Sequence, residues 1–187
     1  MTQIPDSTLA AQILAGDTAG FEALARRYQS VLLRYFRLYH SPDDAAELVQ
    51  ETFLQVWKGI SNYDVRWCFS TWLYTIAHRQ SGMLLRKKMR DPVRKHIDSS
   101  VEIDKIPQHF DVSERTPLER EEESRNLWTE IAKLLPAEQV DVLWLFYVEE
   151  KSLREIAFIQ NRTLSSVKTL MFRARKTISV KYKTPFE

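Results

Sequence analysis

The chain has 187 residues, 44% of them hydrophobic, and a formal net charge of only +2, so bulk charge identifies no partner and its distribution must carry any electrostatic argument. Cys68 stands alone, which excludes an intramolecular disulfide and fits a reducing compartment. The opening Met1-Thr-Gln-Ile-Pro-Asp lacks the basic start and apolar run of a signal peptide, and no later run approaches membrane-spanning length, so a cytosolic chain is expected.

Glycine is scarce, with four in the chain, and strand-like alternation is absent; helical periodicity recurs instead. Ser7 is placed to cap a short helix ending at Gly16. Asp17 is placed to cap the next, whose apolar positions are Phe21, Leu24, Ala25, Tyr28, Val31, Leu32 and Tyr35. Ser41-Pro42 pairs a cap with a first-turn proline, and Asp43 and Asp44 suit the positive end of the helix dipole. That helix is expected to reach about Lys58, with Ala45, Leu48, Val49, Thr52, Phe53 and Val56 inward and Gly59 as its stop. Its other side carries Asp43, Asp44, Glu47, Gln50, Glu51 and Gln55, an acidic face unsuited to DNA: either simply solvated, or a docking surface for a protein.

Residues 60–69 read as an aromatic-rich loop, followed by a helix from Ser70 to Arg90, in which Gly82 marks a place where the helix can bend. This stretch sets Tyr63, Trp67, Phe69, Trp72 and Tyr74 beside Arg66, Arg79, Arg86, Lys87, Lys88 and Arg90. Rings that stack on unpaired bases and cations that follow phosphates are what a single strand needs. Aromatic residues on helices are more often core, and Leu73, Ile76 and Trp72 are assigned there. For Trp67 and Phe69 both readings stand.

Asp91-Pro92 ends that helix. Residues 91–115 lack a sustained apolar period and read as a flexible linker. Thr116-Pro117 restarts helix, with Leu118, Leu127, Ile131 and Leu134 on it, and Leu135-Pro136 breaks it. An apolar helix follows to Tyr147, with Val140, Val142, Leu143, Leu145 and Phe146. The expected architecture is all-α: two small helical domains, 1–92 and 116–187, joined by linker 93–115.

The last segment reads as a helix-turn-helix. Ser152 and Glu155 have capping-box spacing, Asn161 sits at the turn where a left-handed conformation is needed, and Thr163 is placed to cap the second helix. Val167, Met171, Ala174 and Ile178 fall on one face of that helix, and Ser165, Ser166, Lys168, Thr169, Phe172, Arg173, Arg175 and Lys176 on the other. Such a helix fits the DNA major groove. Charge supports a polyanion partner: residues 151–187 hold nine Lys/Arg against two Asp/Glu. Residues 86–95 hold six basic and one acidic, and residues 98–123 nine acidic and three basic. A basic–acidic–basic chain suits two DNA-facing parts separated by a segment kept off the DNA.

Asp43-Asp-Ala-Ala-Glu-Leu-Val-Gln-Glu-Thr-Phe-Leu-Gln-Val-Trp57, Phe69-Ser-Thr-Trp-Leu-Tyr-Thr-Ile-Ala77, Leu134-Leu-Pro-Ala-Glu-Gln139 and the helix-turn-helix follow one another in an order and spacing that resembles the extracytoplasmic-function (ECF) sigma factors. These are minimal members of the sigma-70 family of bacterial transcription initiation factors. The resemblance covers nearly the whole chain outside the linker. It implies that the first domain is region two and the second region four. Asp44, Glu47, Leu48, Gln50, Glu51, Phe53 and Trp57 would dock on the β′ clamp helices of core RNA polymerase. Tyr63, Arg66, Trp67, Phe69, Ser70, Arg79, Arg86 and Lys87 would recognise and hold the melted −10 element. Ser165, Ser166, Lys168, Thr169, Phe172, Arg173, Arg175 and Lys176 would read the −35 element, with Arg175 nearer the phosphates. Region four would also touch the β flap, the linker would thread the RNA-exit path, and an anti-sigma factor would hold the protein inactive.

Two departures bear on specificity. Many members carry Asn and Asp where this chain has Arg79 and Met83, and Arg offers only donors where Asn offers a donor and an acceptor. At the turn, Gly and an aliphatic residue are replaced by Asn161 and Arg162, which places Arg162 outside the core. A stand-alone duplex-binding regulator is the alternative from another class, but it leaves the acidic helix and the aromatic loop unexplained. An enzyme is the third: His40, His78, His96 and His109 form no metal spacing with one another or with Cys68, no Gly-rich phosphate loop or catalytic triad motif is visible, and no cofactor is expected.

Overall fold

Polar side chains cap four of the helix starts, at Asp17, Ser41, Ser152 and Thr163. The computed structural model describes residues 4–90 and 117–182, with backbone alone for 117–123 and 125; the expected linker lies outside the described residues. Among those residues are eight α-helices and no strand: α1 (Asp6–Leu14), α2 (Thr18–Phe36), α3 (Pro42–Gly59), α4 (Phe69–Arg90), α5 (Pro117–Leu134), α6 (Ala137–Tyr147), α7 (Leu153–Ile159) and α8 (Leu164–Tyr182). The expected all-α class holds.

Asp17 caps α2 by accepting from the Ala19 N–H at 2.9 Å, and Ser41 caps α3 ahead of Pro42. Ser7 does not cap α1, which begins one residue earlier behind Pro5. Asp6 instead takes hydrogen bonds from Arg27 and Tyr28 of α2, tying the first helix to the second. The pair crosses closely: a Cβ on Gly20 would lie 2.7 Å from the Leu9 carbonyl oxygen, so this position excludes any larger residue without a backbone shift. α4 runs uninterrupted through Gly82.

Two cores result. In the first, Leu24, Leu32, Tyr35 and Phe36 of α2 meet Leu48, Val49 and Val56 of α3 and Leu73, Tyr74 and Ala77 of α4, all nearly solvent-free. Phe36, absent from the apolar face read from sequence, is fully buried. In the second, Val140, Val142, Leu143 and Leu145 of α6 meet Ile156 and Ile159 of α7 and Val167, Met171 and Ala174 of α8. The capping box of α7 is complete, Asn161 takes φ +50°, and Thr163 accepts the Ser166 N–H at 3.2 Å. Arg162 is exposed and pairs with Glu138. The two units touch along α4 and α7, with Tyr35 of α2 and Tyr39 just beyond its end reaching α6.

A polar seam braces α3 to α4. Lys88 Nζ lies 2.7 Å from Asp44 Oδ2, and His40 Nε2 lies 2.7 Å from Ser81 Oγ. Burial pushes the Asp44 carboxyl up, but bonds from Lys88 and Ser41 outweigh it and hold it below its usual range. His40 is lowered to about 4 by burial and then by the Lys88 charge, with Asp44 opposing. Between about pH 6.5 and 4 the unfolded chain takes up a proton at His40 that the folded one refuses. Stability is therefore full above this window and falls as pH drops through it, by about 3 kcal/mol when complete. His40→Gln cannot titrate, and its urea-denaturation stability is expected to change less between pH 7 and 4 than that of the wild type. Equal slopes would remove His40 as the cause.

Candidate nucleic-acid and polymerase interfaces

α8 is held by its apolar side and offers its polar side to solvent. Val167, Met171 and Ala174 pack inward, while Ser165, Lys168, Thr169, Arg173 and Lys176 are exposed and Phe172 is 65% exposed. These six recur at steps of three and four, which places them on one stripe. The Thr169 hydroxyl donates back to the Ser165 carbonyl at 2.9 Å, and Thr163 Oγ1 lies 3.1 Å from Ser165 Oγ. Ser166 is half-buried beside the cap. Arg175 behaves differently: its guanidinium lies 5.7 and 5.6 Å from the ring centroids of Phe146 and Tyr147. A cation stacked this way clamps α8 to α6, so phosphate contact is not its first role in this arrangement.

The loop before α4 is built on buried rings. Tyr63 and Phe69 are 9% and 2% exposed, so Phe69 takes the core one of its two readings and Tyr63, assigned to the melted strand, is not a free stacking platform. Phe69 packs against Tyr28, Tyr63 and Trp72, and the Tyr63 hydroxyl donates to the Trp67 carbonyl at 2.8 Å. Their apolar area is better satisfied inside the first unit than in water, and they hold the loop from beneath. Trp67 is half-buried, Arg66 is exposed and fixed by a fork of bonds to Asp64, and Ser70 is half-buried. Further along α4, Arg79, Met83, Arg86 and Arg90 are exposed at steps of four, three and four, forming a basic stripe, with Lys87 exposed beside it.

On α3, Glu47, Gln50 and Trp57 are exposed and Glu51 and Phe53 half-buried, while Leu48 is 5% exposed and belongs to the core. Asp44 is engaged by Lys88 and Ser41 and braces the fold. Trp57 meets Phe21 edge-on at 5.1 Å, and Phe21 meets Phe53 at 6.2 Å. Between α3 and α4 a groove of 260 Å³ is lined by Glu47, Leu48, Glu51, Gln80, Met83, Leu84 and Lys87.

Sequence reasoning missed Asp141. It is 3% exposed and accepts hydrogen bonds from Tyr35 at 2.6 Å and Gln160 at 2.8 Å, with His78 Nδ1 at 2.9 Å. The available signal was one acid inside the apolar run Val140–Phe146: a buried carboxylate requires partners. Among the described residues no cluster of His, Cys, Asp and Glu could hold a metal ion, and no helix is long and apolar enough to cross a membrane.

The family model for sigma-70 region 2 matches residues 21–91, and that for sigma-70 region 4 matches residues 125–178. The chain is 26% identical over 186 residues to an ECF RNA polymerase sigma-E factor of Haemophilus influenzae, covering 96% of each. It is 26% identical over 182 residues to that of Escherichia coli K12, covering 96% of this chain and 95% of the relative. Among solved structures it is similar in fold to CnrH in complex with the cytosolic domain of CnrY, with TM-score 0.68, 20% identity and coverage of 95% and 97%. It is likewise similar to the sigma factor RpoE in complex with the anti-sigma factor NepR from Bartonella quintana, with TM-score 0.61, 22% identity and coverage of 86% and 97%.

Proposed function

The chain belongs to the ECF branch of the sigma-70 family, and from that premise we propose how its surfaces share the work of transcription initiation. It is a sigma factor that joins core RNA polymerase and directs it to promoters; the family is one of non-enzymatic initiation factors. The observation that carries the reading is the order of the two family matches, the first over α2–α4 and the second over α5–α8. Residues 1–92 are assigned to polymerase docking and the −10 element, 116–187 to the −35 element, and 93–115 to the connection. Anti-sigma control and a cytoplasmic location belong to the same proposal.

In this reading the exposed and half-buried residues of α3 (Glu47, Gln50, Glu51, Phe53 and Trp57) dock on the β′ clamp helices. Region four also meets the β flap. The loop carrying Arg66, Trp67 and Ser70, with Arg79, Arg86 and Lys87 of α4, captures the melted strand; Tyr63 and Phe69 hold the loop in shape. Melting is driven by binding: unstacking a base costs a few kcal/mol, offset by stacking on a ring and by phosphate contacts. α8 enters the major groove of the −35 duplex with Lys168, Thr169, Phe172 and Arg173 toward the bases.

The test is co-elution with bacterial core RNA polymerase, followed by transcription from a randomised promoter library. Co-elution with enrichment of paired −35 and −10 sequences is expected; failure to co-elute, with tight duplex binding by the chain alone, would instead favour a stand-alone regulator. Within the enriched promoters, Lys168→Ala and Arg173→Ala are each expected to weaken binding by about 1–3 kcal/mol. Loss of preference at one base position would identify a base contact, and a uniform loss with a smaller salt dependence a phosphate contact.

A further inference from the structure

The first unit carries a second basic surface, on α2. Residues 23–42 hold four arginines and no Asp or Glu. Arg27 serves the fold: it bonds to Asp6 and to the Ile4 carbonyl. The other three point to solvent. Arg26, Arg34 and Arg37 are exposed, and with the exposed Ser30 they recur at steps of four, four and three along α2 and the residue after it. That spacing puts them on one stripe, roughly 16 Å long at the helical rise.

Local chemistry accounts for only part of this stripe. Arg34 and Arg37 close the helix and suit the negative end of its dipole, but the dipole does not choose a side of the helix and does not reach Arg26. Arg26 pairs with Glu22 at 3.7 Å; the side chains are 75% and 64% exposed, so the pair contributes little and yields to a stronger anion. The stripe adjoins the start of α4. Burial pushes the Tyr74 hydroxyl and the Glu149 carboxyl up, and the Arg34 charge opposes both shifts, which places Arg34 near Tyr74, one turn beyond Ser70. On the same helix Tyr28 packs against Phe69 at 5.8 Å, and Tyr35 meets Tyr74 edge-on at 5.2 Å. α2 therefore backs the loop assigned to the melted strand. At the loop itself, Trp67 stacks on Phe158 of α7 at 4.4 Å. The exposed acids Asp43 and Glu47 lie on α3 instead, so the unit is basic on α2 and α4 and acidic on α3.

We propose that the arginine stripe of α2 is a phosphate track that extends the single-strand surface beyond the loop: bases are held at the loop, and Arg26, Arg34 and Arg37 take the backbone of the nucleotides that follow. The inference rests on the reading of that loop as the strand-binding surface. Arginine suits the task because its planar fork meets phosphate oxygens in pairs. A track of this kind makes no base contact, so it adds affinity and site size without sequence preference.

The test uses holoenzyme assembled from core polymerase and the full chain, bound to a promoter fork in which one strand continues as a single strand beyond the −10 element. Binding is followed by fluorescence anisotropy over a salt series. Arg26→Ala, Arg34→Ala and Arg37→Ala combined are expected to lower the salt slope by roughly 2, at about 0.7 per lost contact. Arg26→Lys, Arg34→Lys and Arg37→Lys combined should retain the slope, because the charges stay. Shortening the extension, or replacing its phosphates by neutral methylphosphonates, is expected to weaken the wild type and to leave the alanine variant unaffected. A fork without the extension should bind both alike.

An unchanged slope, or an alanine variant as sensitive to neutral phosphates as the wild type, overturns the track. A loss that is equal with and without the extension overturns it too, and assigns the arginines to duplex or to polymerase. Thermal melts check folding, and if the triple alanine variant fails to fold, Arg26→Ala and Arg37→Ala singly, each lowering the slope by about 0.7, carry the test. A wild-type chain that never binds polymerase would overturn the sigma reading instead, and the same slope comparison on the free chain with a single-stranded DNA would still decide the track.

Discussion

Trp57→Ala is expected to weaken binding to core RNA polymerase by roughly 30- to 1,000-fold, the about 2–4 kcal/mol of a central aromatic anchor. Trp57 is 42% exposed near the end of α3, with Leu54 beside it at 43%. Its indole is steadied edge-on against Phe21, which in turn rests against Phe53. A ring already held in one orientation loses little side-chain entropy on docking, so its apolar area converts efficiently into affinity. Glu47, Gln50 and Glu51 lie further along the same helix and supply a polar, negative rim, whose contribution lies more in association rate and partner choice. Truncation at a site this exposed costs the isolated fold little, so the melting temperature should stay close to wild type. Measuring affinity by anisotropy of a labelled chain titrated with polymerase separates the outcomes: unchanged affinity would remove the α3 end from the interface, and a large drop in melting temperature would show that the indole serves the core instead.

Leu145→Ala is expected to destabilise the C-terminal unit by about 2–5 kcal/mol, through lost transfer energy and the cavity left behind. Leu145 is fully buried where α6 underlies α7 and α8. A small unit has few kcal/mol to lose, so partial unfolding near physiological temperature follows. The stripe on α8 exists only while that helix stays seated, so −35 duplex binding should be lost although no DNA-facing residue has changed. Trp128 and Trp144 meet edge-on at 4.9 Å within this unit, and their fluorescence reports its unfolding in urea. Polymerase binding through α3 should persist because Leu145 lies on α6, in the C-terminal part of the core. A loss below about 1 kcal/mol, or an equal loss of both activities, would contradict the division of labour between the two units.

The sequence by itself determined what depends on neighbours along the chain. Apolar steps of three and four marked the inward faces of α2, α3 and α8. Ser152 with Glu155, Asp17, Ser41 before Pro42, and Asn161 marked helix ends and the turn, because caps and left-handed positions are local requirements. The exposed stripe of α8 was legible for the same reason: once the inward face is known, the other face is solvent's. Tertiary structure alone decided which inward and outward faces meet. Periodicity could not say that Phe69 and Tyr63 fill the first core while Trp67 reaches the second unit. It could not say that Arg175 lies over Phe146 and Tyr147, or that Asp44 is engaged by Lys88 across α3 and α4. Asp141 shows the physical reason most plainly. A single acid in an apolar run predicts that a partner must exist, since burial without one is too costly, but the partners Tyr35 and His78 lie far away in sequence. Their meeting is set by how two helical units pack, which no local pattern encodes.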